Sequence, residues 1–278
     1  MTVARPGWVT PTGERGVRLL GPLVRRLFRP TCVGFEHLPA GPYLLVANHS
    51  AGMGVAEILS IVTCWHQAFG TGRPLAGFAL PLGFVVWPLS WVHRQIGTIP
   101  STYPAAFAAL AQGVPILVFP GGDHESLTPI WHRAQVDFGG RIGFLKIARQ
   151  SQVPVVPLAI AGGPLTSPIL LRSRLLATLL VVPRLMGLKR WGISLLGLLG
   201  AGLLAAVVPW SAWLALAIFL WLGSPFPFLP LFPATIRMVI SPPLPPPASD
   251  ATDADLQFAR VALERRMEAL LTRFVGGE

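Results

Sequence analysis

Three stretches of the sequence contain residues that could do chemistry together. An apolar run ends at Ala47 and is followed directly by Asn48 and His49. A second run ends in "FPGGDHES" (119–126), whose paired glycines expose backbone N–H groups, and "FGGRIGFLKIA" (138–148) places cations at the start of a helical pattern. An imidazole, an N–H-rich turn and a cation before a helix can act as general base, oxyanion stabiliser and anion holder.

The elements that must position these residues alternate between strands and helices from residue 31 to about 165. Short apolar runs bounded by Pro and Gly predict buried strands at 42–48, 114–120 and 153–162. Helical patterns lie between the later runs, at 103–113 and 142–152. This spacing predicts an α/β fold whose strand ends carry the site.

The composition indicates a lipid surface as the partner. The chain has 22 Lys and Arg against 12 Asp and Glu, a formal charge of +10, yet charged residues make up only 12% of it and apolar residues 52%. The excess of positive charge favours a polyanion, and the high apolarity favours anionic lipid over nucleic acid. Four arginines interrupt any apolar core of a signal peptide, so we expect the protein on the cytoplasmic side of a membrane: Arg15, Arg18, Arg25 and Arg26. Cys32 and Cys64 fit no metal spacing and are expected to be reduced.

The segment 17–29 has the pattern of a basic amphipathic helix. On a helical wheel one face is apolar, with Leu20, Leu23, Val24 and Leu27, and the opposite face carries Arg18, Arg25 and Arg29. Such a helix can lie on an anionic membrane surface or pack on its own domain, and the two are compatible. We expect Pro22 in the first turn of its better-formed half, and residues 1–16 to be loose.

The stretch 191–236 contains no Asp, Glu, Lys, Arg or His. Pro209 divides its first part into two helical patterns, 192–208 and 210–223, each too short for a hydrocarbon core of about 30 Å. Both flanks are basic and should lie on the same side of a membrane. We expect a re-entrant hairpin or a monotopic helix pair; a two-span hairpin and a buried helix pair are the alternatives.

These patterns divide the chain into four segments. They are an amphipathic N-terminal segment (1–30), an α/β core (31–170), an apolar membrane-associated insertion (171–234) and a closing segment (235–278). The closing segment contains a strand at 235–241, a Pro-rich linker and an amphipathic helix at 253–274.

Four sequence blocks in order resemble the lysophospholipid and glycerol-phosphate acyltransferase superfamily. They are "NHS", "ILVFPGGDHES", "FGGRIGFLKIA" and "VPVVPLAIAGG", spread over about residues 40–165, and "RMVISPPL" is similar to the family's closing strand. The resemblance implies a mixed sheet flanked by helices. It also implies a fatty acyl transfer from acyl-CoA or acyl carrier protein to a hydroxyl of a glycerolipid or lysophospholipid, without a cofactor or a metal.

The chain departs from the family pattern at the acid that follows the histidine. The family has Asp five residues after His, where this chain has Gly54, and the nearest acid is Glu57. The chain resembles a subgroup in which a glycine-bearing insertion displaces the acid, which implies that Glu57 orients His49. Asp123 and Glu125 are the alternatives.

A second departure concerns the acceptor. The family block Phe-Pro-Glu-Gly-Thr-Arg is here Phe119-Pro120-Gly121-Gly122-Asp123-His124, similar to the branch that includes diacylglycerol acyltransferases. The arginine expected after a Gly-x-Ile block is also absent, since Gly97-Thr98-Ile99 is followed by Pro-Ser-Thr. With Arg141 as the remaining cation, we expect a preference for a neutral or large-headgroup acceptor.

The resemblance thus implies the following site. His49 is the general base and Glu57 its orienting acid. The substrate-binding candidates come from the same three stretches: Asn48, Phe119, Pro120, Gly121, Gly122, Asp123, Arg141 and Lys146. Two other interpretations stay open: a non-catalytic lipid-binding or scaffold relative, and a metal-dependent hydrolase using His49, Asp123, His124 and His132.

Overall fold

The computed structural model describes residues 5–275, so that residues 1–4 of the predicted first segment and 276–278 of the last lie outside it. Its centre is a seven-stranded sheet in the order β1-β9-β6-β2-β5-β3-β4. The strands are β1 (Thr31–Val33), β2 (Leu44–Ala47), β3 (Ala76–Ala79), β4 (Ile99–Pro100), β5 (Ile116–Val118), β6 (Val155–Ala161) and β9 (Arg237–Ile240). Two further strands, β7 (Ile169–Ser173) and β8 (Trp191–Ser194), form a separate antiparallel pair.

The sheet is mixed. β6, β2, β5, β3 and β4 run parallel, whereas β9 is antiparallel to β6 and β1 is parallel to β9. The carboxyl ends of β2, β5 and β6 therefore meet at one edge, which is where a ligand site forms in such sheets. The predicted mixed α/β sheet flanked by helices is confirmed.

The helices cover both faces of the sheet and extend beyond it. They are α1 (Pro11–Phe28), α2 (Val55–Phe69), α3 (Leu89–Gln95), α4 (Tyr103–Ala111), α5 (Gly122–Ser126), α6 (Gly143–Ser151), α7 (Gly163–Thr166), α8 (Arg174–Leu179), α9 (Val182–Leu185), α10 (Leu195–Val207), α11 (Ala212–Gly223) and α12 (Asp253–Val275). Short 3₁₀ turns lie at Phe35–His37, Pro81–Phe84, Ile130–His132 and Phe226–Phe228.

Alternate residues of β2 enter two different core layers, as the period of two in a strand requires. Leu44 and Val46 pack with α4, α6 and α12, whereas Leu45 and Ala47 pack with α1 and α2. Cys64 lies in the second layer and Cys32 packs against it, and both are free. Burial raises the pKa of Cys32 to about 12 and that of Cys64 to about 11, so both stay thiols at neutral pH.

The N-terminal region differs from the prediction. Residues 5–10 are not loose, because the Gly7 N–H donates to Gly97 O (2.8 Å) and Gly7 O accepts from Leu75 N–H (3.0 Å). The helix begins at Pro11, since the Thr10 side chain caps its first turn. Pro22 consequently lies inside the helix, on its exposed side, rather than in a first turn.

The apolar face predicted for this helix is only partly used for packing. Val24 and Phe28 are buried against the core, whereas Leu19, Leu20 and Leu23 are exposed by 80%, 46% and 53% of their surface. The helix therefore packs on its own domain and also presents a strip of leucines to solvent.

The insertion forms a helix hairpin on a small core of its own. The hairpin consists of α10 and α11, which pack together through Gly200 and the Trp221 ring, and Trp221 Nε1 donates to Gly197 O (3.0 Å). Its base rests on Trp191, which is fully buried beside Phe228 and donates to Leu222 O (2.7 Å). The first predicted helix starts three residues late because Trp191–Ser194 pair with β7.

No helix within residues 5–275 has the length and the apolar composition needed to cross a bilayer. The hairpin is not buried either, since Leu203, Val207, Trp210 and Trp213 are between 64% and 89% exposed.

Candidate active site

His49 and Glu57 form a direct pair at the carboxyl end of β2. The Nδ1 atom of His49 lies 2.7 Å from Glu57 Oε2. The carboxyl group is fully buried, and its second oxygen accepts from the Ser50 N–H (3.2 Å) and the Ser50 hydroxyl (3.3 Å). When Nδ1–H donates to the carboxylate, Nε2 is the ring nitrogen that can accept a proton.

The backbone between the two residues explains why the acid comes from Glu57. Gly54 has φ +72°, and a Cβ there would collide with Cε1 of the His49 ring. The loop thus passes directly beside the imidazole, and α2 starts at Val55 with Glu57 in its first turn. A carboxylate in this position is favoured by the helix dipole.

Asn48 ties the end of β2 to β6. Its Nδ2 donates to Ile160 O (2.8 Å) and its Oδ1 accepts from Ile160 N–H (2.7 Å). Both ends of this buried amide are therefore engaged within the protein. Asn48 positions the strand end that carries His49, whereas we predicted it as a substrate-binding residue.

The glycine turn after β5 lies beside the histidine. The rings of His49 and Phe119 are 4.6 Å apart between centroids, and Gly122 N–H donates to Phe119 O (3.2 Å). Arg141 donates from Nη1 to the carbonyl oxygens of Pro120 (3.2 Å) and Gly121. The structure thus brings Phe119, Pro120, Gly121 and Arg141 to the mouth of β2, as the sequence predicted.

The carboxylate of Asp123 is not available to a substrate, because three groups of the protein already bind it. Arg141 Nη2 lies 2.5 Å from Oδ1, while Oδ2 accepts from the N–H groups of Lys189 (2.9 Å) and Arg190 (3.0 Å). Burial raises the pKa of Asp123, but the bond from Arg141 and the two N–H donors outweigh it, and the net pKa lies below its ordinary value. The ionised Asp123 links the turn to the insertion and neutralises Arg141.

Lys146 lies apart from this cluster. Its Nζ is 2.7 Å from Asp253 Oδ2, at the start of α12, on the face of the sheet that α6 and α12 cover. The structure therefore does not bring it together with His49, and its predicted contact with substrate has no support in the geometry.

A second histidine–acid pair lies on α5. His124 Nε2 is 2.6 Å from Asp137 Oδ2, and Arg172 donates to the His124 carbonyl. Burial lowers the pKa of His124, and the neighbouring charge of Arg172 lowers it further against the effect of Asp137. No sequence pattern indicates this pair, since its members are 13 residues apart in no recognised spacing. Within the described range, no three His, Cys, Asp or Glu side chains group as metal ligands.

An apolar cavity opens beside the helix that carries Glu57. It contains about 780 Å³ of empty space, its open mouth included, between the N-terminal segment, α2 and the strands β3 and β5. Its lining includes Trp8, Val17, Ile58, Val62, Trp65 and Leu117. Ile58 follows Glu57 directly in α2, but neither Glu57 nor His49 lines the cavity.

Comparison with known proteins finds relatives that match the core of this chain. A family model described as "Acyltransferase" matches residues 29–161. Uncharacterized proteins of Mycobacterium tuberculosis and Mycobacterium bovis are 30% identical over 157 residues, and one of Mycobacterium leprae is 31% identical. The match covers 56% of this chain but only 42–44% of those relatives, so the chain spans less than half of their length.

A solved structure shares the fold. The crystal structure of the 1-acyl-sn-glycerophosphate (LPA) acyltransferase PlsC from Thermotoga maritima matches with a TM-score of 0.51 and 17% identity, over 93% of this chain and 82% of that one. The family match includes β2 with His49, α2 with Glu57 and the glycine turn after β5. Residues 29–161 are therefore similar to the acyltransferase family, and the chain shares the fold of a solved acyltransferase.

Proposed function

We propose that this protein is a membrane-associated O-acyltransferase that moves a fatty acyl group from a thioester donor to a hydroxyl of a glycerolipid. One observation carries the proposal: His49 Nδ1 lies 2.7 Å from a fully buried carboxylate, beside a glycine turn, in a region similar to the acyltransferase family. This is the arrangement of a histidine base with an orienting acid.

The residues supply a base and an oxyanion donor. His49 Nε2 takes the proton of the acceptor hydroxyl while its oxygen attacks the thioester carbonyl, and Glu57 stabilises the imidazolium that forms. The Gly121 N–H is the turn donor that we assign to the oxyanion, since the Gly122 N–H already donates to Phe119 O. Collapse of the intermediate breaks the C–S bond, the thiolate of acyl-CoA or acyl carrier protein leaves, and the proton passes from His49 to the thiolate or to water. No cofactor takes part in these steps.

The cavity beside α2 supports an acyl chain as the part of the donor that enters the protein. It is lined mainly by apolar side chains of the N-terminal segment and of α2, the helix that carries Glu57, although neither His49 nor Glu57 lines it. Burial of each methylene in such a space contributes about 0.8 kcal/mol to binding.

The geometry favours an acceptor without a phosphate near the turn. Arg141 is already bound to Asp123 and to two carbonyl oxygens, so its charge is compensated within the protein. A clamp for phosphate normally uses several charge-assisted hydrogen bonds. We therefore propose a neutral or large-headgroup glycerolipid acceptor.

Three exposed apolar surfaces support association with a membrane. They are the tip of the α10–α11 hairpin, the leucine strip of α1 and the segment 80–92, where Val85 and Trp87 are each 79% exposed. Patches of this extent are unusual on a soluble monomer and mark lipid or protein contacts. The formal charge of +10 favours an anionic bilayer as the partner.

The test is turnover by the purified full chain. Thiol release from acyl-CoA is measured with lysophosphatidate, monoacylglycerol or diacylglycerol as competing acceptors. We expect His49→Ala to lower kcat/KM by about a hundred- to ten-thousand-fold. His132→Ala is the matched control, because His132 lies on the exposed turn after α5 and is expected to leave turnover intact.

Each outcome is informative. Turnover in His49→Ala equal to that of the wild type would end the assignment of this site. No turnover with any acceptor and donor, together with lipid binding, would favour the non-catalytic interpretation. A large preference for lysophosphatidate that Arg141→Ala removes would overturn the neutral acceptor.

A further inference from the structure

Glu125 is a buried acid that the proposed mechanism does not use. It lies on α5, is 2% exposed, and neither carboxyl oxygen has a hydrogen-bond partner within residues 5–275. Burial raises the pKa of Glu125 well above its ordinary value, and the carboxylates of Glu57 and Asp137 raise it further; the backbone N–H of His49, which is near but outside hydrogen-bond geometry, lowers it less than burial raises it. The surroundings therefore favour a protonated, uncharged carboxyl close to the catalytic pair.

The Glu125 side chain fills the space that a side chain at position 121 would occupy. A Cβ added to Gly121 would collide with Glu125 Cβ and would lie 2.5 Å from its Oε2. The backbone does not require glycine there, since φ is −66° and ψ is −29°, values open to any residue. The three atoms nearest to such a Cβ all belong to the Glu125 side chain, which therefore excludes a side chain at position 121.

The two positions are four residues apart in the chain. Gly122 between them has φ +47°, so the turn is not regularly helical, but a Cβ at Gly121 would overlap the Glu125 side chain, and a side chain at either position can reach the same volume. The family pattern named above has glutamate at the position of Gly121, whereas this chain has its glutamate at 125. A carboxyl group can thus occupy this volume from either position 121 or position 125.

This volume lies between the glycine turn and the loop that follows His49. The Ser126 carbonyl next to Glu125 accepts from Gly52 N–H (2.9 Å), which fastens α5 to the loop between His49 and Gly54. The Glu125 side chain itself lies against Gly121 of the turn and near the backbone N–H of His49.

We propose that Glu125 is a positioning residue, whose carboxyl has taken over from position 121 and holds the Gly121 turn against the loop of His49. The inference rests on the proposed acyl transfer for its kinetic readout. Its geometric part, the exchange of one carboxyl between positions 121 and 125, stands without that readout.

The experiment is a cycle of substitutions in the full chain, with kcat, KM and Tm measured for each protein. Glu125→Ala is expected to lower kcat at least tenfold with KM for the acceptor changed less than threefold. Glu125→Gln, which keeps the shape of an uncharged carboxyl, should keep kcat within about threefold. Gly121→Glu alone should lower both kcat and Tm, because two side chains then compete for one volume.

The double variant Gly121→Glu, Glu125→Ala decides the matter. We expect its kcat to exceed that of either single variant at least tenfold, with the Tm lost in Gly121→Glu largely restored. A double variant with wild-type Tm but no more turnover than Glu125→Ala would overturn the positioning role. Wild-type kcat in Glu125→Ala would do the same.

Two further outcomes are distinguishable. If Glu125→Ala does not fold, a double variant that folds and turns over supports the exchange, and one that also fails to fold overturns it. If the wild type shows no acyl transfer, the proposed function is wrong. The Tm values of the cycle then still decide the exchange, which is supported by recovery in the double variant and overturned by its absence.

Discussion

The distance in sequence between His49 and its acid is set by the loop that connects them. Gly54 adopts φ +72° with its backbone against the imidazole, so a side chain at this position would displace the ring. The carboxylate can reach Nδ1 only from the next element, the first turn of α2, where Glu57 is fully buried. The acid and the base are thereby held by two rigid elements, which preserves their geometry.

We expect Glu57→Gln to cost far more activity than Asp123→Asn or Glu125→Gln. An amide at position 57 can leave the imidazole in the wrong tautomer, and loss of a triad acid costs up to about ten-thousand-fold in kcat. Restoring an acid with Gly54→Asp in the Glu57→Gln background should not recover turnover, because that backbone conformation is strained for aspartate. Kinetics of the three single variants and the double variant are the measurement. A crippled Asp123→Asn beside a mild Glu57→Gln would assign the acid to the glycine turn.

The protonation of Glu125 has a consequence for stability against pH. Its pKa in the fold is raised above the ordinary value of 4.5, so its contribution is fully present below about pH 4.5 and is lost as the pH rises towards the raised pKa. Glu125→Gln removes this loss. The Tm of Glu125→Gln relative to the wild type should therefore increase as the pH is raised from 4.5. A difference in Tm that stays constant with pH would show that the carboxyl titrates in the fold as it does in the unfolded chain.

Among the secondary-structure elements, the central ones were predictable from sequence and the peripheral ones were not. The strands β2, β5, β6 and β9 are apolar runs bounded by Pro, Gly or polar residues, and each lies within its predicted range. In contrast, β4 has two residues, one of them Pro100, and forms only because it pairs with β3 at the sheet edge. Such strands depend on a neighbour for their hydrogen bonds, and no local pattern marks them.

In the site too, contacts that follow from local sequence patterns were predictable, and contacts between residues distant in sequence were not. His49, the glycine turn and Arg141 stand next to strong strand or helix patterns, so their meeting at one sheet edge followed from the expected fold. The bonds of Asn48 to Ile160, of Asp123 to the insertion and of Lys146 to α12 join residues 66 to 112 positions apart. The sequence carries no spacing signal for such pairs, which is why their contacts were not foreseen.

We predict that two exposed tryptophans of the α10–α11 hairpin contribute to membrane binding. Trp210 and Trp213 are 89% and 77% exposed near the connection between the two helices, and aromatic rings of this kind favour the membrane interface. Replacing both by serine should lower binding of the protein to anionic vesicles at least tenfold in a sedimentation assay. Phe258→Ser is the matched control, because Phe258 is 79% exposed on α12, away from the hairpin. Equal losses in both variants would mean that the hairpin has no special role in binding.

Two of the exposed apolar segments follow strands whose carboxyl ends meet at one edge of the sheet. The segment 80–92 follows the carboxyl end of β3, and the chain that leads to the hairpin leaves the carboxyl end of β6, next to His49. α1 packs against α3 and ends near the same edge, where the Phe28 carbonyl accepts from Ile236 N–H (2.9 Å), while its exposed leucines lie one to two turns earlier in the helix. A bilayer that contacts these surfaces would meet the protein at the edge that carries His49, so an acceptor could reach the base without leaving the lipid.

This orientation predicts that both flanks of the insertion lie on the same side of the membrane. At 1.5 Å per residue, α10 and α11 are each about 20 Å long or less, short of a hydrocarbon core of about 30 Å. Lys189 and Arg237 flank the hairpin, both exposed and both cationic. In a background without Cys32 and Cys64, Lys189→Cys and Arg237→Cys should react with an impermeant maleimide from the same side of sealed vesicles. Labelling from opposite sides would show a spanning segment and would contradict a hairpin that enters and leaves one leaflet.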